Sequence, residues 1–527
     1  MGALIMYVKA RVALRVDASA TMGTGHLRRC LSLARVLVEL DAKVDLLVRQ
    51  MDDVARQVLS GLVESTGVAV HWLPAPAMTY FPDADEPPHQ AWAGVHWAQD
   101  ANDTVVALGD KPPDWLIIDH YAFDVRWHSS VRQALRCRLL AIDDVADRAL
   151  DVDALLDQNW NADHRAKYSS CLRRKSRLLT GPRYALLSAK YCTAPRYCFH
   201  DPVRSVGIFV GGTDPGGASL QVLDICRRSG FAGPIEIVST SANPRLAELR
   251  AACAAAIDTT LTLDEPDLTA FFARHDLQVG AGGGATWERC CIGVPTISLV
   301  LTTNQMAVVP ALDKLGVLRA ARLDGHSVPA YMPPLSQVFR ALLVEPDVRS
   351  YLRERATTLV DGRGAERVAL SLLCYTLRLR PASVEDGRML HCWRNHPAVR
   401  AVSGSKSPID LADHLAWLQH VLKVSDRWLF VGEVGQLPVG CIRFDRLAAD
   451  RVEVSLYLDP SLQGLGLGRQ LLLAGERAMR EHLNCGFALD AKVLSGNAAS
   501  QHLFEACGYH GGPMQYQKTI AATPAST

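Results

Sequence analysis

The amino-acid sequence predicts an α/β protein with two doubly wound, Rossmann-like units followed by a third, smaller α/β unit. Three observations support this prediction: short apolar runs alternate with stretches of helical period, glycine-rich turns follow several of these runs, and the pattern starts anew near Arg204 and near Leu377. Strands that alternate with helices are typical of parallel sheets covered on both faces. A chain of 527 residues has room for about three domains. The predicted domains are residues 1–195, 196–376 and 377–527.

Composition indicates a soluble globular protein. Hydrophobic residues make up 49% and charged residues 21%, and 56 Lys and Arg balance 55 Asp and Glu to a net charge of +1. This balance argues against a nucleic-acid partner, which needs a basic surface, and no apolar run approaches the ~20 residues of a membrane span. None of the 14 cysteines has Cys-x-x-Cys spacing. We therefore expect reduced thiols in a cytoplasmic protein that binds no metal.

In the first unit, a strand–loop–helix segment carries the first candidate site. Val12–Val16 is predicted to be a buried strand, apolar residues recur at helical spacing from Leu27, and the loop between them ends in Gly23-Thr24-Gly25-His26. Glycines let backbone N–H groups approach a ligand, and a helix N-terminus favours an anion. A histidine that stays neutral here can accept a proton from water, so His26 is a candidate general base. The alternative is a polar residue that caps the helix.

In the second unit, a glycine-rich turn is the candidate nucleotide site. The segment Ala281-Gly282-Gly283-Gly284-Ala285-Thr286 is followed by Glu288 and by Asn304-Gln305, and Gly212-Thr213 supplies a second loop. Main-chain N–H groups of a glycine run can face a diphosphate, and the following helix adds its dipole. The Glu288 carboxylate can accept both ribose hydroxyls, or it merely complements the helix dipole. Asn304 has the alternative of an ordinary turn residue.

In the third unit, a glycine turn again joins a strand to a helix. Val452–Leu458 alternates like a strand and leads into Gln463-Gly464-Leu465-Gly466-Leu467-Gly468-Arg469, after which a helix is predicted. Successive backbone N–H groups of such a turn can form a nest for a pyrophosphate. Glu453 lies on the strand as a candidate base, and the alternative is a solvent-facing carboxylate.

The first unit resembles the UDP-sugar hydrolases of pseudaminic acid biosynthesis, which remove UDP from UDP-2,4-diacetamido-2,4,6-trideoxy-β-L-altropyranose. The resemblance rests on Asp17, Gly23-Thr24-Gly25-His26, Arg29 and Asp119-His120-Tyr121. It implies that His26 is the catalytic base, that Tyr121 lies at the sugar site, and that Asp17, Gly23, Gly25 and Arg29 bind substrate. For Tyr121, the alternative is a strand-end residue that tethers a loop.

The glycine-rich segment of the second unit resembles the UDP-binding half of these hydrolases. It is also similar to the lipid-linked N-acetylglucosaminyltransferase of cell-wall synthesis. Both have two Rossmann-like lobes, the GT-B arrangement, with the nucleotide in the cleft. The resemblance implies that Asn304 points toward the sugar or the attacking water. It also implies a set of substrate-binding residues, namely Gly212, Thr213, Gly283, Gly284, Thr286, Glu288 and Gln305.

The third unit resembles the GCN5-related N-acetyltransferases through its glycine turn, the downstream Asn497 and Gly508-Tyr509. This implies that Glu453 deprotonates an amine and that acetyl-CoA is held by Gln463, Gly464, Gly466, Gly468, Arg469 and Asn497. Phe504 departs from the pattern, because many members have a tyrosine there that protonates the departing thiolate. Another group or solvent replaces that hydroxyl, or the domain is impaired. Tyr509 is one substitute, unless it is a packing aromatic.

Together these resemblances cover roughly residues 10–375 and 377–517. They imply a bifunctional enzyme that acetylates the 4-amine of a UDP-linked amino sugar with acetyl-CoA and hydrolyses the UDP-diacetamido sugar to the free sugar and UDP. Two alternatives stay open at this point. One is a GT-B glycosyltransferase that passes the sugar to an acceptor, and the other is a nucleotide-sugar-binding scaffold with a degenerate acetyltransferase domain.

Overall fold

The computed structural model describes residues 9–60, 66–303, 305–324, 331–512 and 514–521. The chain divides into two compact units. The larger unit contains Arg11–Val38 and Lys43–Glu366, and the other contains the described residues from 367 onward together with residues 9–10 and 39–42. Within the described ranges, no helix is both long enough and apolar enough to cross a bilayer.

A seven-stranded parallel sheet forms the first lobe of the larger unit. Its strands are β1 (Arg11–Val16), β2 (Lys43–Arg49), β3 (Val68–Leu73), β4 (Trp115–Asp119), β5 (Arg138–Ile142), β6 (Ala154–Asp157) and β7 (Arg177–Thr180). Its helices are α1 (Gly25–Glu39), α2 (Val54–Ser60), α3 (Trp97–Leu108), α4 (Val125–Leu135) and α5 (His164–Tyr168). The spatial order β3-β2-β1-β4-β5-β6-β7 reverses between β1 and β4. Ligands bind at the carboxyl ends of strands at such a point.

The second lobe repeats this design with six parallel strands. They are β8 (Val206–Phe209), β9 (Ile235–Ser239), β10 (Thr259–Leu263), β11 (Leu277–Ala281), β12 (Thr296–Leu299) and β13 (Arg319–Ala321). The helices are α6 (Lys190–Thr193), α7 (Ala218–Arg228), α8 (Leu246–Ala255), α9 (Thr269–Arg274), α10 (Ala285–Ile292), α11 (Gln305–Lys314), α12 (Leu335–Val344) and α13 (Pro346–Leu359). Helix α14 (Gly364–Leu373) begins in this unit and continues into the other one. The order β10-β9-β8-β11-β12-β13 reverses between β8 and β11. Both glycine-rich turns follow these two strands.

The prediction of two Rossmann-like lobes is confirmed. Strand β1 is buried along nearly its whole length, because helices cover both faces of a doubly wound sheet. Helix α1 buries an apolar stripe that includes Leu27, Leu31 and Leu37, which is the helical period seen in the sequence. Because α1 follows β1 in the chain and β1 pairs in parallel with β4, the first turn of α1 lies at the carboxyl ends of these two strands.

The other unit contains a mixed seven-stranded sheet. Its strands are β14 (Arg378–Pro381), β15 (Arg427–Val434), β16 (Leu437–Ala448), β17 (Arg451–Leu458), β18 (Phe487–Ala491), β19 (His510–Gly512) and β20 (Gln515–Ile520), and its helices are α15 (Gly387–Asn395), α16 (Pro397–Ala401), α17 (Leu411–Val421), α18 (Leu467–Leu483) and α19 (Ala498–Ala506). The order is β14-β15-β16-β17-β18-β20-β19. Strands β17 and β18 run parallel and pair only from Arg451 to Glu453. Beyond that point β17 continues to the glycine turn that begins α18.

Candidate active site

A cavity of about 580 Å³ lies between the two lobes of the larger unit. This volume is within the ~300–1,000 Å³ of typical small-molecule sites. The first turns of α1 form one wall, and the turn before α10 and the ends of β8 and β9 form the opposite wall. The sequence-predicted residues that line the cavity are Gly25, His26, Arg29, Tyr121, Gly212, Gly283, Gly284, Glu288 and Gln305. The predicted residue Asn304 lies outside the described residues.

His26 is held by a buried carboxylate at the end of β4. Its Nδ1 lies 2.7 Å from Oδ1 of Asp119, which is fully buried. Because a carboxylate accepts hydrogen bonds, we assign the proton of the neutral ring to Nδ1, which leaves the Nε2 lone pair free to accept a proton. The sequence resemblance includes Asp119 but gives it no role. The signal for a role in the site is its position at the carboxyl end of a central strand.

Arg29 keeps Asp119 charged. The guanidinium donates from Nε to Oδ2 of Asp119 at 2.6 Å and from a second nitrogen to Oδ1. Burial raises the pKa of Asp119, but Arg29 and His26 outweigh burial and hold that pKa well below its usual range. A charged Asp119 stabilises the imidazolium that forms when His26 accepts a proton. Arg29 therefore lines the cavity and also supports the candidate base.

Tyr121 stands beside His26, with the two rings nearly perpendicular and their centroids 4.9 Å apart. Its hydroxyl donates to Asp144, and the other oxygen of Asp144 accepts from Nδ2 of Asn159 at 2.7 Å. Burial and the charge of Asp144 raise the pKa of Tyr121, so the hydroxyl stays protonated. Both interpretations of Tyr121 have support, since it lines the cavity and also tethers the loop after β5.

Asp17 lies beneath the cavity and not in it, which corrects its assignment to substrate binding. Its carboxylate is fully buried and accepts from the Arg15 guanidinium at 2.6 and 2.8 Å and from the backbone N–H of Arg49 at 2.6 Å. A side chain without exposed surface does not contact a ligand. Asp17 instead fixes the end of β1, where the loop to His26 begins.

The assignment of Thr286 to substrate binding is also corrected. Gly23 and Thr213, which were predicted to bind substrate, lie beside the cavity. Thr286 is 1% exposed, and its hydroxyl is directed at the backbone oxygen of Ala281. Gly23, with φ of 76°, and the exposed Thr213 belong to turns next to the cavity but do not line it. Gly23 and Thr213 belong to the same turns as Gly25 and Gly212, which line the cavity.

The turn before α10 opens its backbone to the cavity. Gly283 and Gly284 are exposed, and a Cβ at either position would meet no atom within 4 Å. Gly212 on the neighbouring loop is different, because a Cβ there would approach Cγ2 of Thr240 to 2.9 Å. Gln305 accepts from the backbone N–H of Leu301 at 2.9 Å. The N-terminus of an eight-residue helix thus faces the cavity through a turn without side chains, which suits an anion.

Glu288 is the unusual carboxyl group of this wall. Burial raises its pKa to about 7, against the opposing charges of Arg289 and Arg28 and a hydrogen bond from Tyr191. A carboxyl group desolvated in the free protein is ready to accept hydrogen bonds from ligand hydroxyls. This placement is compatible with the predicted ribose contact.

We expect Glu288→Gln to change how stability depends on pH. The folded-state pKa of about 7 exceeds the ~4.3 of an unfolded glutamate, so between these values the folded state retains a proton that the unfolded state has lost. Stability contributed by this group is therefore lost as the pH rises through that window. The variant should lose less of its melting temperature than the wild type between pH 5 and pH 8. Glu354→Gln, at an exposed position of α13, is the control, and a variant with the wild-type pH dependence would contradict the assignment.

In the smaller unit, the glycine turn has the backbone that the sequence predicts for an anion nest. Gly464 and Gly466 have φ of 82° and 84°, in the left-handed region, and Gly466 is the N-cap of the 17-residue helix α18. Gly468 lies within the first turn, where a Cβ would contact Leu503 at 3.5 Å. Gln463 and Arg469 flank the turn. Non-glycine residues adopt this backbone only at a cost.

Asn497 and Glu453 are engaged within the protein. The side-chain oxygen of Asn497 accepts from the backbone N–H of Ser500 at 3.1 Å and caps α19, which leaves its NH2 group as the donor for the predicted cofactor contact. Glu453 forms an ion pair with Lys492, whose side chain is 71% exposed. A base at Glu453 thus requires that Lys492 release the carboxylate.

Phe504 and Tyr509 pack edge to face, with ring centroids 4.9 Å apart. Tyr509 is 2% exposed, and burial and the Glu476 carboxylate raise its pKa. Glu476 belongs to α18, so Tyr509 is directed at this helix. This placement favours the interpretation of Tyr509 as a packing aromatic. Within the part of the chain that is described, no group of three or more His, Cys, Asp or Glu side chains is arranged to hold a metal.

Comparisons with known proteins identify relatives of both units. Residues 393–509 match the model of the acetyltransferase (GNAT) family. The spore coat polysaccharide biosynthesis protein SpsG of Bacillus subtilis is 27% identical over 208 residues, 37% of this chain, and the chain spans 58% of that relative's length.

Solved structures with low sequence identity also match. MurG of Acinetobacter baumannii is 12% identical, with 68% of this chain and 98% of that chain covered and a TM-score of 0.45. Spermidine N-acetyltransferase of Vibrio cholerae, solved with CoA and spermine, is 20% identical, with 27% and 92% covered and a TM-score of 0.24. The family match and the sheets of the structure confirm the predicted fold class. Two Rossmann-like lobes precede a GNAT acetyltransferase domain in this chain.

Proposed function

We propose that this chain is a bifunctional enzyme of pseudaminic acid biosynthesis. Its larger unit would hydrolyse UDP-2,4-diacetamido-2,4,6-trideoxy-β-L-altropyranose to UDP and the free sugar, and its GNAT domain would acetylate the 4-amine of the UDP-amino-sugar precursor. The observation that carries the proposal is the buried Asp119 that orients His26 in a cavity whose opposite wall is an open glycine turn. The proposed domains are residues 1–195, 196–376 and 377–527.

In the hydrolytic step, water attacks the anomeric carbon of the sugar. His26 accepts a proton from this water at Nε2, and the imidazolium is stabilised by Asp119 through Nδ1–H. The anomeric C–O bond breaks, and its electron pair leaves with UDP. Backbone N–H groups at Gly283 and Gly284 hold the charge of the leaving diphosphate, so no strong acid is needed. The protonated Tyr121 hydroxyl and Asp144 border the space for the sugar.

In the acetyl transfer, the neutral amine attacks the thioester carbonyl of acetyl-CoA. The backbone N–H groups of the turn from Gly464 to Arg469 bind the pyrophosphate of the cofactor. Once Lys492 has released the Glu453 carboxylate, this carboxylate accepts the proton that the amine loses. The C–S bond then breaks, and because Phe504 carries no hydroxyl, the thiolate of CoA takes its proton from solvent.

Product analysis of the purified chain tests this proposal. With the UDP-4-amino sugar and acetyl-CoA, mass spectrometry should find CoA, UDP and the free diacetamido sugar, and omission of acetyl-CoA should leave the amine unmodified. In oxygen-18-labelled water the released UDP should contain no label, because the C–O bond of the sugar is the one that breaks. A sugar passed to another acceptor would indicate a glycosyltransferase, and binding without turnover would indicate a scaffold. Either result would overturn the proposal.

A further inference from the structure

One face of α1 presents two arginines to the cavity. Arg28, Ser32 and Arg35 all line it, and their spacing of four and three residues places them on one side of a helix. This face lies opposite the turn before α10 and is separate from the His26–Asp119 pair, although His26 also belongs to α1. Neither arginine belongs to the sequence resemblance described above.

These two arginines differ from the other cations that line the cavity. Arg29 is engaged by Asp119, and Nζ of Lys190 lies 3.0 Å from a carboxylate oxygen of Asp267. Among the described residues, no carboxylate forms an ion pair with Arg28 or Arg35. Nε of Arg35 is buried and has no acceptor in that part of the chain. Desolvated donors without an acceptor are costly, and an anionic ligand would satisfy them.

Arg28 also acts across the cavity. Burial raises the pKa of Glu288 on the opposite wall, and the positive charge of Arg28 is among the influences that oppose this rise. Within the described ranges, the one side-chain hydrogen bond of Arg28 is a long one to the hydroxyl of Thr24, at 3.4 Å. Its guanidinium lines the cavity between the lobes and is available to a ligand there.

We propose that Arg28 and Arg35 bind the phosphate groups of the nucleotide from the first lobe, so that the phosphates lie between two guanidinium groups and the glycine turn before α10. This inference rests on the proposed function for the identity of the ligand, a nucleoside diphosphate. It adds that affinity depends on charge supplied by α1 and not only on backbone N–H groups of the second lobe. Arginine suits this task because its planar fork matches two phosphate oxygens.

Titration calorimetry with UDP, UMP and uridine tests the inference. The variants are Arg28→Met, Arg35→Met and the double variant, and Arg250→Met, at an exposed position of α8, is the matched control. For the double variant we expect UDP affinity to fall at least about tenfold and uridine affinity to change less than about twofold, because charge-assisted hydrogen bonds act only on the phosphates. Replacement of both arginines by lysine should restore part of the UDP affinity, because the charge returns without the fork.

The outcomes separate this inference from the proposed function. If the wild type hydrolyses the UDP-sugar and the folded double variant binds UDP as tightly as the wild type, the arginine role is wrong and the proposed function stands. If the double variant loses uridine affinity to the same extent as UDP affinity, the arginines shape the cavity and do not bind phosphate. If the wild type binds no UDP, both proposals fail. Thermal melting of each variant shows whether it is folded.

Discussion

Replacement of His26 with alanine should slow UDP release by ~10²–10⁴-fold, the contribution typical of a general base. The affinity for UDP should change little, because in the proposed mechanism His26 contacts the attacking water, whereas the proposed phosphate site lies between Arg28 and Arg35 and the turn at Gly283. The measurement is a coupled assay of UDP release beside calorimetry of UDP binding. A lower kcat together with an unchanged dissociation constant for UDP indicates an interaction that is made mainly in the transition state.

A second variant tests how His26 works. Asp119→Asn should also lower kcat, because an amide can hold the ring in the wrong tautomer and does not stabilise an imidazolium. The double variant His26→Ala/Asp119→Asn should then be little worse than His26→Ala alone, since the two residues act as a unit. His502→Ala, at an exposed position of α19, is the control. Turnover at the wild-type rate in the His26 variant would remove this residue from the mechanism.

The fold was predictable because its signals are local. Buried strands followed by glycine turns and helices of regular period repeat along the chain, and a parallel doubly wound sheet is the usual way to bury such segments. The position of His26 follows from the same pattern, since a residue that opens a helix after a central strand lies at the carboxyl edge of the sheet. The same argument predicts the position of Gly283 and Gly284, which follow a central strand of the second lobe and precede a helix.

The interactions that give these residues their chemistry were not predictable. Asp119 is 93 residues from His26 in the chain, and no local pattern pairs them. Asp17 was assigned to substrate binding because the sequence does not show that Arg15 turns toward it and buries it. Spacing alone also leaves open whether Arg28 and Arg35 face solvent or a cavity, because both faces of a helix accept charged residues.

One local signal was missed. Asn497 precedes α19, and asparagine is a preferred N-cap residue, so its hydrogen bond to the backbone N–H of Ser500 was within reach of the sequence. The resemblance to the acetyl-CoA signature drew attention to a ligand contact instead. The cap occupies one acceptor site of the Asn497 oxygen, and the side-chain NH2 group remains the donor for the predicted cofactor contact.

Replacement of Gly466 with glutamate should abolish acetyl transfer. Gly466 has φ of 84° and is the N-cap of α18, so any other residue strains the turn. The new carboxylate would also lie at a helix N-terminus, where it would itself interact with the dipole and repel the cofactor pyrophosphate. We expect CoA release, followed with a thiol reagent, to fall at least ~10²-fold, since the close backbone approach is lost and a repelling negative charge is added.

The matched control for this variant is Gly466→Asn. Asparagine tolerates the left-handed region better than other non-glycine residues and adds no charge, so this variant should keep more acetyl transfer than Gly466→Glu. The difference between the two variants measures the combined effect of the added charge and of the greater backbone strain. A Gly466→Glu variant that is folded and transfers acetyl groups at the wild-type rate would show that the cofactor does not approach this turn.

The variant Gly466→Glu also tests whether hydrolysis and acetyl transfer are independent of each other. Gly466 belongs to one compact unit, and His26 and Glu288 belong to the other. Domains with their own cores fold and function largely as units. Gly466→Glu should therefore still hydrolyse substrate that is already acetylated at the 4-amine, and His26→Ala should convert the UDP-4-amino sugar into a UDP-diacetamido sugar that accumulates. If a folded Gly466→Glu protein no longer hydrolyses pre-acetylated substrate, the two activities are coupled and the model of independent sites is wrong.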